Sequence, residues 1–125
     1  MATEILICDD SNMARKQMAR SLPENWDVNV NFAKHGQEAI ELIKNGNLEI
    51  MFLDLTMPVM DGYETLEAIR KEDLPIMVIV VSGDIQPEAC DRVKKLGAID
   101  FIKKPVDKSK IEQVLKDYGI LGGAE

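Results

Sequence analysis

Ile5-Leu6-Ile7-Cys8-Asp9-Asp10 and Ile50-Met51-Phe52-Leu53-Asp54 follow one pattern. Each is an unbroken apolar run that stops abruptly at carboxylates. A strand that is apolar without alternation needs cover on both faces, as in a parallel sheet flanked by helices. In open α/β sheets, ligands bind beyond the carboxyl ends of the strands. Asp9, Asp10 and Asp54 therefore stand where a ligand site is expected. Side by side they repel: at ~4 Å and an effective dielectric of ~20, each like pair costs about 4 kcal/mol. A hard divalent cation relieves this, because it takes oxygen ligands and brings positive charge. The pattern predicts a Mg²⁺-type site with one carboxylate free to act.

Outward from these runs, strand and helix patterns alternate. Residues 4–8 read as the first strand. Asp10 or Ser11 caps a helix to about residue 21, with Ala14, Met18 and Leu22 on one face and Pro23 beyond it. Residues 27–33 alternate, with Val28, Val30 and Phe32 on one side. Residues 36–44 are helical through Ala39, Ile40 and Ile43, and Asn45-Gly46 stops them. Residues 49–54 form the third strand. Residues 63–71 are helical through Leu66 and Ile69. Residues 75–81 are the most apolar strand. Pro87 opens a helix with Ala89, Val93 and Leu96 inward, and Gly97 ends it. Residues 98–103 are the fifth strand. Residues 108–118 are the last helix, through Ile111, Val114 and Leu115.

Serial βα units imply an α/β fold, a doubly wound five-stranded parallel sheet with helices on both faces. The wholly apolar strands one, three and four belong in the centre, and strands two and five at the edges. A 2-1-3-4-5 order with right-handed crossovers satisfies this. Its switch point lies between strands one and three, where the aspartates end.

At 125 residues the chain suggests one domain, large enough to need neither disulfide nor structural metal. A net charge of -7 argues against tracking nucleic-acid phosphates, although Lys103 and Lys104 leave a local basic patch. Cys8 and Cys90 show no metal-ligand spacing and read as buried free thiols of a reducing compartment. Met1-Ala2-Thr3-Glu4 runs straight into the first strand without a signal peptide, and no apolar run spans a bilayer. The expected location is the cytoplasm. Met13, Met18, Met51 and Met77 read as core filler, His35 as a loop residue, and Asp61 as serving a turn rather than a metal.

Asp54-Leu55-Thr56-Met57-Pro58-Val59-Met60-Asp61-Gly62 forms the loop after the third strand. Pro58 favours a turn, and Gly62 is free to take a backbone conformation closed to other residues. Strand four ends in Ser82-Gly83-Asp84 and strand five in Lys103-Lys104-Pro105. A hydroxyl and an ammonium then face the carboxylates across one sheet edge. A carboxylate can be the nucleophile in phosphoryl transfer, while a metal, a lysine and a hydroxyl hold the phosphoryl oxygens.

These residues, in this order on βα units, resemble the receiver domain of response regulators, the CheY-like phospho-acceptor of two-component signalling. The resemblance covers residues 4–118. It implies that Asp54 accepts a phosphoryl group from a sensor histidine kinase. It implies that Asp10, Asp54 and the Thr56 carbonyl ligate Mg²⁺, with Asp9 acting through water. It gives Lys104 and Ser82 to the phosphoryl oxygens, makes Phe101 the switch aromatic, and makes the Lys104–Pro105 bond cis. Thr56 and Asp84 take positions that tune phosphoryl lifetime. The output is a changed face on helix four, strand five and helix five, read by a downstream protein or a fused output domain. Chemotaxis is one setting, and the state is a monomer or a phosphorylation-dependent dimer. Neither nucleic acid nor membrane is contacted directly.

Residues 1–118 are thus expected to form the receiver, and residues 119–125 a tail or the start of a linker. Two rivals share some features. A haloacid-dehalogenase-type phosphatase also uses an aspartate nucleophile and Mg²⁺, but needs an acid two positions on, where Thr56 stands. A flavodoxin-like FMN module needs a Ser/Thr/Gly-rich loop after the first strand, where Asp9-Asp10-Ser11-Asn12 would repel a phosphate.

Overall fold

A computed structural model of the chain describes residues 2–83 and 86–120. Elements alternate along it: β1 (Thr3–Cys8), α1 (Asn12–Arg20), β2 (Val28–Ala33), α2 (Gly36–Asn45), β3 (Ile50–Leu53), α3 (Gly62–Lys71), β4 (Met77–Ser82), α4 (Pro87–Lys95), β5 (Asp100–Lys103) and α5 (Lys108–Asp117). The sheet order is β2-β1-β3-β4-β5, with every pairing parallel. The expected fold class and strand order are both present.

The central strands explain their own composition. In β1, Leu6 and Cys8 pack into one core with α2, α3 and α4 through Ala39, Ile40, Ile43, Leu66, Ile69 and Val93. Ile5 and Ile7 point the other way, into a second core with Met18 of α1 and Ile111 and Leu115 of α5. Successive side chains alternate between faces, so a strand with two buried faces has no polar positions. Strands β3 and β4 repeat the arrangement with Met51, Leu53, Val78 and Val80 against Ile50, Phe52, Ile79 and Val81.

Helix starts are fixed locally. The Ser11 side chain accepts from the Ala14 N–H, and Asp107 caps α5 in the same manner. Asp61 and Glu64 form a reciprocal capping box at α3, so Asp61 does serve the turn. His35 caps α2 through Nδ1. Gly97, at φ 113°, ends α4 in a conformation that side chains resist.

Several expectations fail at the periphery. Met13 is 75% exposed and Met77 39%, so neither is core filler. Met13 lies about 140° around α1 from Met18, and Met77 opens its strand before helix cover begins. Pro75 and Ile76 precede β4 rather than belonging to it. Phe32 shares a side with Val28 and Val30 but is 45% exposed, beside an open cavity against Asn12, Arg15 and Lys16 of α1. Cys90 is only half-buried, unlike Cys8. Gly119 and Ile120 still belong to the packed unit, since the Ile120 N–H donates to the Leu115 carbonyl and its side chain meets the second core. Residues 121–125 and Asp84 lie outside the described residues. Among the described residues no helix is long and apolar enough to cross a membrane.

Candidate functional site

Sheet register brings the aspartates together. Cys8 pairs with Leu53, so the residues that follow each are neighbours at the sheet edge. The ladder continues one step further: the Asp54 N–H donates to the Cys8 carbonyl at 2.9 Å, and the Asp9 N–H to the Ala33 carbonyl at 3.0 Å. On the other side Ser82 pairs with Lys103, and the Lys104 N–H donates to the Ser82 carbonyl at 2.8 Å. Residues far apart in sequence are therefore placed by four central and edge strands, not by flexible loops.

Carboxylate oxygens of Asp9, Asp10 and Asp54 all lie within 4.8 Å of one another. Asp9 and Asp54 are 6% and 8% exposed, while Asp10 is open to solvent. Lys104 Nζ bridges the buried pair, 2.9 Å from Asp9 Oδ2 and 3.2 Å from Asp54 Oδ1. The Ser11 N–H holds the other Asp9 oxygen at 3.0 Å.

The electrostatics follow from burial and crowding. Burial, then the charge of Asp9, pushes the Asp54 pKa above the usual carboxylate value, and Lys104 opposes the rise. Burial disfavours the Lys104 ammonium, but its hydrogen bond to Asp9 and the charges of both aspartates outweigh this and raise its pKa. The Cys8 thiol is pushed up to about 12 by burial and by Asp9 and Asp54, which makes it inert as a nucleophile. A single ammonium does not neutralise three carboxylates. The donors are all oxygens and one carboxylate is solvent-facing, which suits a hard divalent cation such as Mg²⁺.

Other expected site residues sit nearby. Ser82 closes β4 and is 6% exposed. Thr56 is exposed in the loop after β3. Phe101 is half-buried beneath the Lys94 ammonium, which lies 5.2 Å from the ring centroid. Between Ser82 and Phe101 is a void of only about 10 Å³, bordered by Leu55, Ala89 and Val93. A larger cavity of about 330 Å³, mostly apolar, lies beside Asp9, Asp54 and Lys104 against α1. The Lys104–Pro105 bond is cis.

The loop after β3 corrects the reading of its glycine. Gly62 does not carry the positive φ of this loop; Val59 does, at 67°. Gly62 is needed for space: a Cβ there would meet the Asp54 carbonyl oxygen at 2.6 Å and Leu55 Cα at 2.7 Å. The start of α3 thus packs directly on the backbone of Asp54 and Leu55.

Sequence reading missed Arg15, which is 9% exposed and donates from Nη1 to the Asp9 carbonyl at 2.7 Å. Arg15, Met18 and Leu22 lie at i, i+3 and i+7, a spacing that marks one helix face and could have flagged the arginine as inward.

The sequence model of the response regulator receiver domain matches residues 5–116. The chemotaxis protein CheY of Halobacterium salinarum is 29% identical over 117 residues, 94% of this chain and 97% of that protein. A protein-glutamate methylesterase/protein-glutamine glutaminase of Bacillus licheniformis is 35% identical over 127 residues. That match takes in 95% of this chain but 35% of the relative, so the chain spans about a third of the methylesterase's length. Among solved structures, the CheX–CheY complex with beryllofluoride and magnesium from Borrelia burgdorferi superposes with a TM-score of 0.85 at 33% identity, covering 93% of this chain and 89% of that one. The chain belongs to the receiver domain family of response regulators, the CheY-like modules of two-component signalling.

Proposed function

We propose that Asp54 is the phosphoryl acceptor of this receiver, and that a phosphohistidine of a sensor kinase or phosphotransfer protein is the donor. The observation that carries this is the Lys104 bridge between Asp9 and Asp54 at 2.9 and 3.2 Å, beside a third carboxylate. An Asp54 carboxylate oxygen attacks phosphorus. The P–N bond to the donor imidazole breaks, and its electron pair stays on the ring nitrogen. Asp9, Asp10, Asp54 and the Thr56 carbonyl are the groups to hold Mg²⁺, with Asp9 acting chiefly through water. Bound there, the ion supplies charge neutralisation for the phosphoryl oxygens. Lys104 is already held against Asp54 and can transfer its ammonium to those oxygens.

Phosphorylation adds up to two negative charges and three acceptor oxygens. Ser82, at the neighbouring strand end, turns its hydroxyl to them, and Phe101 moves inward. Phe101 shares a void with Ala89 and Val93 of α4, which supports a change that spans the face of α4, β5 and α5. The partner is a separate protein in the manner of CheY, or a fused output domain as in the methylesterase relatives. The chain works in the cytoplasm as a signalling module that extends to Ile120, and its chemistry is on its own Asp54. A dehalogenase-type phosphatase is disfavoured because Thr56 stands where a general acid is required.

Incubation with acetyl phosphate and Mg²⁺, read by intact mass, tests the reading. The wild type gains one phosphoryl group and Asp54→Asn gains none; equal labelling of the variant refutes the assignment. Lys104→Ala keeps Mg²⁺ binding but loses the change in Phe101 and Ser82 that beryllofluoride brings about, and an unaltered change refutes its role.

A further inference from the structure

We infer that Arg15 is a positioning residue for the metal-ligating aspartates. The inference rests on the metal-site reading above and extends it to a side chain outside the acidic cluster.

Arginine is seldom fully buried without a partner charge, because taking an ion out of water is costly. Arg15 is 9% exposed, yet no ion pair to it is present among the described residues. Its two hydrogen bonds go elsewhere: Nη1 to the Asp9 carbonyl at 2.7 Å and Nη2 to Asn12 Oδ1 at 3.2 Å. The guanidinium is therefore spent on one backbone carbonyl and on the first residue of α1.

That carbonyl is half of the Asp9–Asp10 peptide. A peptide unit is planar, so fixing its oxygen fixes the direction in which Asp10 Cα follows. The Asp9 carboxylate has other anchors, in the Ser11 N–H and Lys104. The Asp10 carboxylate is exposed, and no hydrogen bond holds it among the described residues. The direction in which it leaves the chain is set by the backbone, which Arg15 holds at the Asp9 carbonyl and the Asp9 carboxylate holds at the Ser11 N–H. Asn12 orients the guanidinium from the same helix turn. Such supporting contacts behind metal ligands are commonly worth 10- to 100-fold in affinity.

The test uses Mn²⁺ as a paramagnetic probe, titrated by electron paramagnetic resonance, together with the melting temperature with and without Mg²⁺. Arg15→Met keeps the packed stem and removes both donors; it weakens Mn²⁺ binding roughly tenfold and shrinks the Mg²⁺-induced rise in melting temperature. Arg15→Lys restores part of the affinity, and Asn12→Ala costs less than Arg15→Met. Lys16→Ala, which removes an exposed cation from the same turn, leaves affinity unchanged. If Arg15→Met melts lower but binds Mn²⁺ as the wild type does, Arg15 is structural and the inference falls. If Arg15→Met does not fold, Arg15→Lys and Asn12→Ala decide by the same comparison. A wild type that takes up no Mn²⁺ overturns the metal reading itself, a result distinct from the first.

Discussion

Asp54 is held as a buried carboxylate beside Asp9, and this has a consequence for stability. Its pKa in the folded chain is raised, chiefly by burial and then by Asp9. A raised carboxylate pKa means the folded state binds the proton more tightly than the unfolded chain does. Stability is then lost as pH climbs from the unfolded value, near 3.9, through the folded pKa. Without divalent cation, Asp54→Asn should therefore melt higher than the wild type at pH 7. The gain should shrink steadily towards pH 4, as measured by circular dichroism in chelator. A gain independent of pH would show that the charge is not its source. Gly62→Ala acts in the opposite sense. Its Cβ runs into the Asp54 carbonyl and the Leu55 backbone, neither of which is a flexible side-chain end. A loss of about 1–3 kcal/mol, typical of overpacking, should appear in urea unfolding, with slower labelling of Asp54. At this scale the sequence was legible where chemistry sits at strand ends: Asp9, Asp54 and Lys104 meet as expected. It misled where space, not conformation, sets the residue. Gly62 is required by close approach, while the strained φ falls on the β-branched Val59. Arg15 was overlooked because an arginine in a polar helix turn ordinarily faces water.

Element by element, the strands buried on both faces were the easiest to read. β1, β3 and β4 announce themselves as unbroken apolar runs, because both cores demand it. Peripheral positions were harder, since partial cover leaves no periodic signature: Phe32 and Met77 look like core residues and are not. Boundaries near prolines also shifted, as at Pro75, where β4 begins only at Met77. Helix α3 illustrates how an element's start bears on function. Its capping box joins Asp61 and Glu64 at 2.9 and 3.0 Å, and the next residue, Gly62, abuts Asp54. Asp61→Ala removes the cap and should cost about 1 kcal/mol by chemical denaturation. If Asp61 serves the turn and not the ion, Mg²⁺ affinity should change by less than about threefold, a small fraction of the 10- to 100-fold expected of a ligand's own support. A collapse of Mg²⁺ binding in this variant would make Asp61 part of the metal site.

In the molecule as a whole, the acidic edge and the two cores are one cooperative unit. Asp9, Asp10 and Asp54 extend β1 and β3, the strands whose side chains fill both cores, so the site exists only when the whole sheet is assembled. An ion that needs all three carboxylates binds the folded chain and not the unfolded one. Linkage then adds RT ln(1 + [L]/Kd) to stability, about 2.7 kcal/mol at a hundredfold excess over Kd. For a chain of 125 residues this is a rise in melting temperature on the order of 10 °C. The rise should follow a single-site curve in Mg²⁺ concentration. Asp10→Asn should shift the curve to higher concentration, and Asp10→Asn with Asp54→Asn should abolish it. Ionic screening provides the control, because potassium chloride at equal ionic strength weakens repulsion among exposed charges but has little reach into a buried pair. Equal stabilisation by potassium chloride and magnesium chloride would mean that relief of the net charge of -7, and not coordination, produces the effect. A magnesium-specific shift that disappears with the carboxylates ties the stability of the entire sheet to its acidic edge.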